Sequence, residues 1–130
     1  MTVADGVHQT YILTPLEEKD LYLYSFLRKY NRGRSIVFCN AITGVKRLAA
    51  IFRIVGLDVL PLHASMQQRQ RLKNLDRFKK RENSILIATD VAARGLDIPN
   101  VAHVLHFDVP HNGEIYIHRA GRTARAGESR

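Results

Sequence analysis

SILIATDVAARGLDIPNVAHVLHFDV, residues 84–109, sets two apolar runs on either side of a polar loop, and its reading decides the fold. SILIAT and VAHVLHFDV are continuous enough to be strands buried on both faces rather than half-solvated ones. Strands of that kind belong to a mostly parallel sheet with helices packed on both sides. In such a sheet, ligands gather at the carboxyl ends of the strands. The loop TDVAARGLD therefore stands where a ligand is expected: Thr89 is a hydroxyl at a strand end, Gly95 permits close backbone approach, and Asp90 and Asp97 are acceptors.

Upstream, the same alternation repeats. HQTYILT (8–14) reads as a strand, after which Thr14, Pro15 and Glu17 predict a helix start with cap, first-turn proline and capping-box carboxylate. Leu16, Leu23, Leu27 and Tyr30 follow at helical spacing. RSIVFCN is a second strand. Thr43 opens a helix carrying Leu48, Phe52 and Val55, which Gly56 ends in the place that favours a left-handed residue. LDVLPLH supplies a further strand, and Ser65 with Gln68 predicts a capping box for a helix that turns Leu72, Leu75 and Phe78 inward. A last helix is expected after Pro110. The connections are too short to be linkers, so residues 1–130 are expected to form one α/β domain.

The composition, 45% hydrophobic over 130 residues, allows a real core. No apolar run approaches the ~18 residues that would point to a membrane span. Cys39 is the single cysteine and lies in the apolar run SIVFC. A buried thiol in a reducing compartment is the expectation, ahead of a nucleophile. The formal charge of +8 is unevenly placed: residues 28–81 hold fourteen Lys or Arg against Asp58 and Asp76 alone. A polyanion is the partner this implies. There is no row of aromatic stacking platforms, so backbone contact is favoured over base reading.

IYIHRAGRTARAG (115–127) adds Arg119, Arg122 and Arg125 at every third position, with His118 beside them. Side chains three apart share a helix face. Arg122 and Arg125 can thus present two permanently charged forks to a triphosphate, or form a solvated surface. The chain has neither a G-x-x-x-x-G-K-[ST] loop nor an acidic pair for magnesium after a strand, so it is not equipped to bind and activate ATP unaided. No metal site is expected, because two aspartates among so many arginines make a poor ligand set. His8, His103, His106 and His111 read as packing or surface residues, and His63 as ambiguous.

Four ordered motifs resemble the second RecA-like domain of DEAD-box ATP-dependent RNA helicases. SIVFCNA (35–41) is similar to motif IV of that family, LHASMQQRQR (62–71) to motif IVa, ATDVAARGLDI (88–98) to motif V, and YIHRAGRTARAG (116–127) to motif VI. VLHFDVP (104–110) stands before the last helix, as in the family. The resemblance covers nearly the whole chain and is greatest to the nucleolar, Mak5-like group that assembles the large ribosomal subunit.

It implies a RecA-like fold and an RNA-stimulated ATPase in the full-length parent, with the isolated domain inactive. Arg122 and Arg125 would be arginine fingers on the γ-phosphate. Gly95 and Asp97 would serve ATP binding, Asp97 holding the ribose, and His118 and Arg119 would couple the nucleotide to the first domain. Asn40, Gln68, Arg71, Thr89 and Arg94 would touch the RNA backbone without reading sequence. ATP with Mg2+ would be held mainly by an N-terminal RecA-like domain of the same parent chain. Pre-ribosomal particles in the nucleolus would be partners, with no role for a membrane. By this resemblance the domain is cut just after motif VI. The rival expectations are a RecA-like module that binds RNA or protein without turnover, and a DNA translocase.

Overall fold

A computed structural model describes residues 8–30, 32–94 and 101–109. Along the chain run β1 (His8–Tyr11), α1 (Leu16–Lys29), β2 (Arg34–Cys39), α2 (Ile42–Ile54), β3 (Val59–Leu62), α3 (Gln68–Lys80), β4 (Ile85–Thr89), the short α4 (Asp90–Ala93) and β5 (Val101–His106). The strands form one sheet in the order β1-β5-β2-β4-β3, with every pairing parallel.

Handedness decides where the helices go. The chain moves across the sheet in one direction from β1 to β2 to β3, then returns through β4 to β5. Right-handed crossovers place α1 and α2 on one face and the helices of the return path on the other. The period of two along each strand matches this. Val37, Cys39 and Ile87 pack with Leu23, Leu27, Val45, Leu48 and Phe52. Ile36, Phe38, Leu86 and Ala88 point the other way, to Phe78, Ala92 and Ala93. Each central strand is buried on both faces, which is why its sequence shows no polar alternation. Cys39 is buried, as expected.

Three details differ from the sequence reading. β1 ends at Tyr11, although Ile12 still donates to the His106 carbonyl at 3.2 Å; Leu13 is already exposed. The predicted capping boxes do not form. Thr14 donates to Glu18, not Glu17, at 3.3 Å, α2 begins at Ile42 rather than Thr43, and Gln67 flanks α3 while Ser65 lies in the preceding turn. Leu48, Phe52 and Phe78 are buried as expected, but two other expected core positions, one just past α2 and one in α3, are not. Val55 and Leu72 are exposed, and Asn74 is buried in α3 beside Phe78. Asn74 is drawn in by a hydrogen bond: its Nδ2 donates to the Pro61 carbonyl at 2.8 Å. Gly56 does take the left-handed conformation, at φ 88°.

Candidate nucleic-acid interface

Adjacent strands β2 and β4 send their following helices to opposite faces, α2 to one and α4 to the other. The crevice between their carboxyl ends is a topological switch point, the usual ligand position in sheets of this type. Cys39 pairs in register with Thr89, which places Asn40 and Thr89 side by side at that crevice. Leu62 pairs with Ala88, so His63, the next residue after β3, joins the same edge. Gln68 and Arg71 come to it on the first turn of α3.

Each side chain has a definite setting. The Thr89 hydroxyl oxygen accepts from the Ala92 backbone N–H at 3.4 Å, capping α4 and leaving its proton to be donated. The Asn40 backbone N–H donates to Asp108 Oδ2 at 2.8 Å, and its side-chain Nδ2 donates to the Val109 carbonyl at 3.0 Å. Asn40 therefore braces the end of β2 to the segment after β5. Lys19 reinforces that segment, donating to the Phe107 carbonyl at 2.9 Å with its ammonium 5.3 Å from the Phe107 ring. Arg47 lies over the same ring at 5.9 Å and donates from Nη2 to Asp20 at 2.9 Å, a bond that holds its guanidinium proton above the ordinary range.

Arg71 and His63 form the electropositive part. Arg71 Nη1 donates to Gln68 Oε1 at 3.5 Å, while its Nε is buried with no hydrogen-bond partner among the described residues. His63 is 6% exposed, and its Nδ1 is likewise buried and without a partner among the described residues. Burial lowers the His63 pKa, and the charges of Lys46 and Arg71 lower it further. Buried nitrogens without partners are rare in folded proteins. Two of them in a cluster with Lys46 favour an anion there. Gln68 is exposed on α3, and Arg94 is exposed at the end of α4.

A pH dependence follows from His63. Its folded pKa lies below the ordinary 6.5, so the unfolded chain binds the proton more readily. The associated stability is present above about pH 6.5 and is lost as pH falls from there toward the folded value. His103 shifts the same way, through burial and the neighbouring His8. Thermal unfolding of His63→Gln beside the unaltered chain, from about pH 7.5 to 5.5, separates the two. The expected result is a shallower fall in Tm for the variant; an unchanged slope assigns the pH dependence to His103 and other groups.

The structure thus brings together Asn40, Thr89, Gln68 and Arg71 of the expected residues, with Arg94 following on α4. Gly95, Asp97, His118, Arg119, Arg122 and Arg125, with His111 and the helix expected after Pro110, lie outside the described residues. Among the described residues no group of three or more His, Cys, Asp or Glu is placed to hold a metal ion. No helix of the described residues is long and apolar enough to cross a membrane. The sequence reading missed Lys46 and left His63 ambiguous. The excess of basic residues in 28–81 was the signal, but it does not say which of the fourteen converge.

Residues 18–127 match the model of the helicase conserved C-terminal domain, and the chain belongs to that family. Its relatives are DEAD-box RNA helicases. ATP-dependent RNA helicase ddx24 of Dictyostelium discoideum is 56% identical over 125 residues, covering 96% of this chain and 13% of that protein. ATP-dependent RNA helicase MAK5 of Phaeosphaeria nodorum is 54% identical over 112 residues, covering 86% of this chain and 14% of that protein. The chain thus spans about a seventh of these relatives. Among solved structures, DEAD-box helicase domain 2 of Mss116p, bound to an RNA duplex, superposes with a TM-score of 0.78 at 33% identity, over 92% of this chain and 50% of that one. The RecA-like α/β architecture expected from the sequence is the one observed.

Proposed function

We propose that this chain is the second half of an ATP-dependent RNA helicase core, which grips the RNA backbone at the carboxyl edge of its sheet. The observation that carries the reading is the meeting of Thr89, Arg71, His63 and Lys46 around the β2–β4 switch point. A donated hydroxyl proton and fixed positive charge suit phosphate oxygens and carry no sequence preference. The solved relative with bound RNA duplex supports the same assignment. Asn40, Gln68 and Arg94 would flank the backbone, Asn40 chiefly as a brace for the segment leading to the arginines.

ATP and Mg2+ would be held mainly by the N-terminal RecA-like domain of the parent. The donor set of this chain suits only the complementary part: Gly95 and Asp97 at the nucleotide, Arg122 and Arg125 at its terminal phosphate, and His118 and Arg119 between domains. ATP would supply the phosphoryl transfer that releases the grip on RNA. Action on pre-ribosomal particles in the nucleolus is proposed from the sequence resemblance to the Mak5-like group, and an ATP-dependent RNA helicase MAK5 is among the similar proteins.

ATP turnover by the two-domain parent, with RNA and with a 2′-deoxy strand of the same sequence, tests the reading. RNA is expected to stimulate and the deoxy strand to do so far less, since the 2′-hydroxyl is the group that differs. Arg71→Ala is expected to weaken RNA binding about tenfold, the size of one charge-assisted hydrogen bond, with turnover at saturating RNA retained. Equal stimulation by both strands points to a DNA translocase. RNA binding without any turnover points to a binding module.

A further inference from the structure

Among the described residues β3 is an edge strand, and along it lies a groove that the interface above does not use. Its volume is about 390 Å³, and Arg53 of α2, Asp58, Met66, Gln70 and Arg77 of α3, and Arg81 just past α3 are among the residues that line it. The groove follows β3 from Asp58 to Pro61 and reaches Met66, whose backbone N–H donates to the His63 carbonyl at 3.2 Å. Lys46 and Arg53, seven apart, share one side of α2, with Lys46 at the His63 end. Along α3, Arg71 stands at the same end and Arg77 lies about 9 Å further down the helix axis. Asp58 is the one acid among the lining residues, and it is already paired with Arg81 at 2.8 Å. Arg53 and Arg77 pair with no carboxylate among the described residues.

The backbone of the edge decides what can lie there. An added peptide strand needs exposed N–H and C=O groups on β3. Pro61 has no N–H, its carbonyl is taken by Asn74 at 2.8 Å, and the Val59 N–H is turned back to the Leu57 carbonyl at 3.1 Å. The edge is thereby closed to strand addition, as edges often are in folded proteins. What the groove offers is guanidinium donors, which match phosphate oxygens.

We propose that this groove is a second RNA-backbone track, continuous with the strand-end site, on which Arg53 and Arg77 each neutralise a phosphate of a strand leaving that site. The proposal rests on the RNA-binding reading above and extends its footprint.

The test uses the two-domain parent and two RNAs: a short strand that fills the strand-end site, and the same strand extended by roughly eight nucleotides, within the range of single-strand site sizes. Affinities are measured across a salt series for the unaltered parent and for Arg53→Ala/Arg77→Ala. The expected result is unchanged binding of the short strand and about tenfold weaker binding of the extended one. The salt slope for the extended strand should fall by about 1.4, two phosphates at about 0.7 each. Equal loss on both strands, or no loss on either, overturns the track. Competition by a polyglutamate peptide that the variant abolishes, with RNA binding unaffected, reassigns the groove to an acidic polypeptide and also overturns it. If the unaltered parent binds neither RNA, the RNA-binding reading itself fails.

Discussion

Arg125→Ala in the two-domain parent is expected to lower RNA-stimulated ATP turnover by about 10²-fold or more, while RNA binding without nucleotide persists. Removing one preorganised charge donor from a transition state costs on that order, and an arginine that completes a phosphoryl-transfer site is worth ~10³ to 10⁵ where required. The proposed role is the one implied by the resemblance of residues 116–127 to motif VI; Arg122 and Arg125, three apart in a chain with no phosphate-cradling loop of its own, are compatible with it. Arg125→Lys is expected to restore little, because an ammonium cannot reproduce the planar fork. The comparison needs single-turnover rates beside RNA affinities, so that lost chemistry is told apart from lost binding. Unchanged turnover would return both arginines to the solvated surface.

The parallel sheet was legible because its central strands are apolar on both faces. Ile36 and Phe38 face one layer of helices, Val37 and Cys39 the other, and no amphipathic reading accommodates all four. The strand ends were legible for the same reason, and with them Asn40 and Thr89. The full inward face of α3 was not, beyond Phe78 and Leu75. Leu72 fits the expected apolar stripe, yet Asn74 is the residue buried, because the Pro61 carbonyl on the sheet edge needs a donor that only a tertiary contact supplies. The capping boxes failed through the same kind of competition: motifs of that type are local and weak, and the entry of each helix is set by the strand before it. His63 and Lys46 meet across seventeen residues and two elements. Their shared electropositive site is a product of the β2-α2-β3 crossover, which no local pattern encodes.

Phe78→Ala is expected to cost about 3–5 kcal/mol, a large part of the stability of a typical domain. Phe78 is 0% exposed and packs with Ile36, Phe38, Leu60, Leu62 and Leu86 on the face that α3 covers. The other buried residue of α3, Asn74, is polar. Leu75 is only partly buried, so Phe78 is the main apolar anchor of the helix. Its backbone matters too: the Phe78 carbonyl accepts from Arg34 Nε at 2.7 Å and from Ser84 Oγ at 3.1 Å, tying the end of α3 to β2 and to the turn before β4. Side-chain loss leaves those bonds possible but removes the apolar contact that holds the helix down. The first event on heating or in denaturant is then expected to be release of α3, with Gln68 and Arg71, ahead of the sheet. Hydrogen exchange in the parent checks this directly. Amides of α3 should lose protection in Phe78→Ala by a larger factor than those of β2 and β4, and Leu75→Ala should produce a smaller effect in the same place. A uniform loss across α3 and the sheet would show that the helix and sheet unfold as one unit. Retained protection throughout would remove Phe78 as the anchor of the helix that carries Arg71.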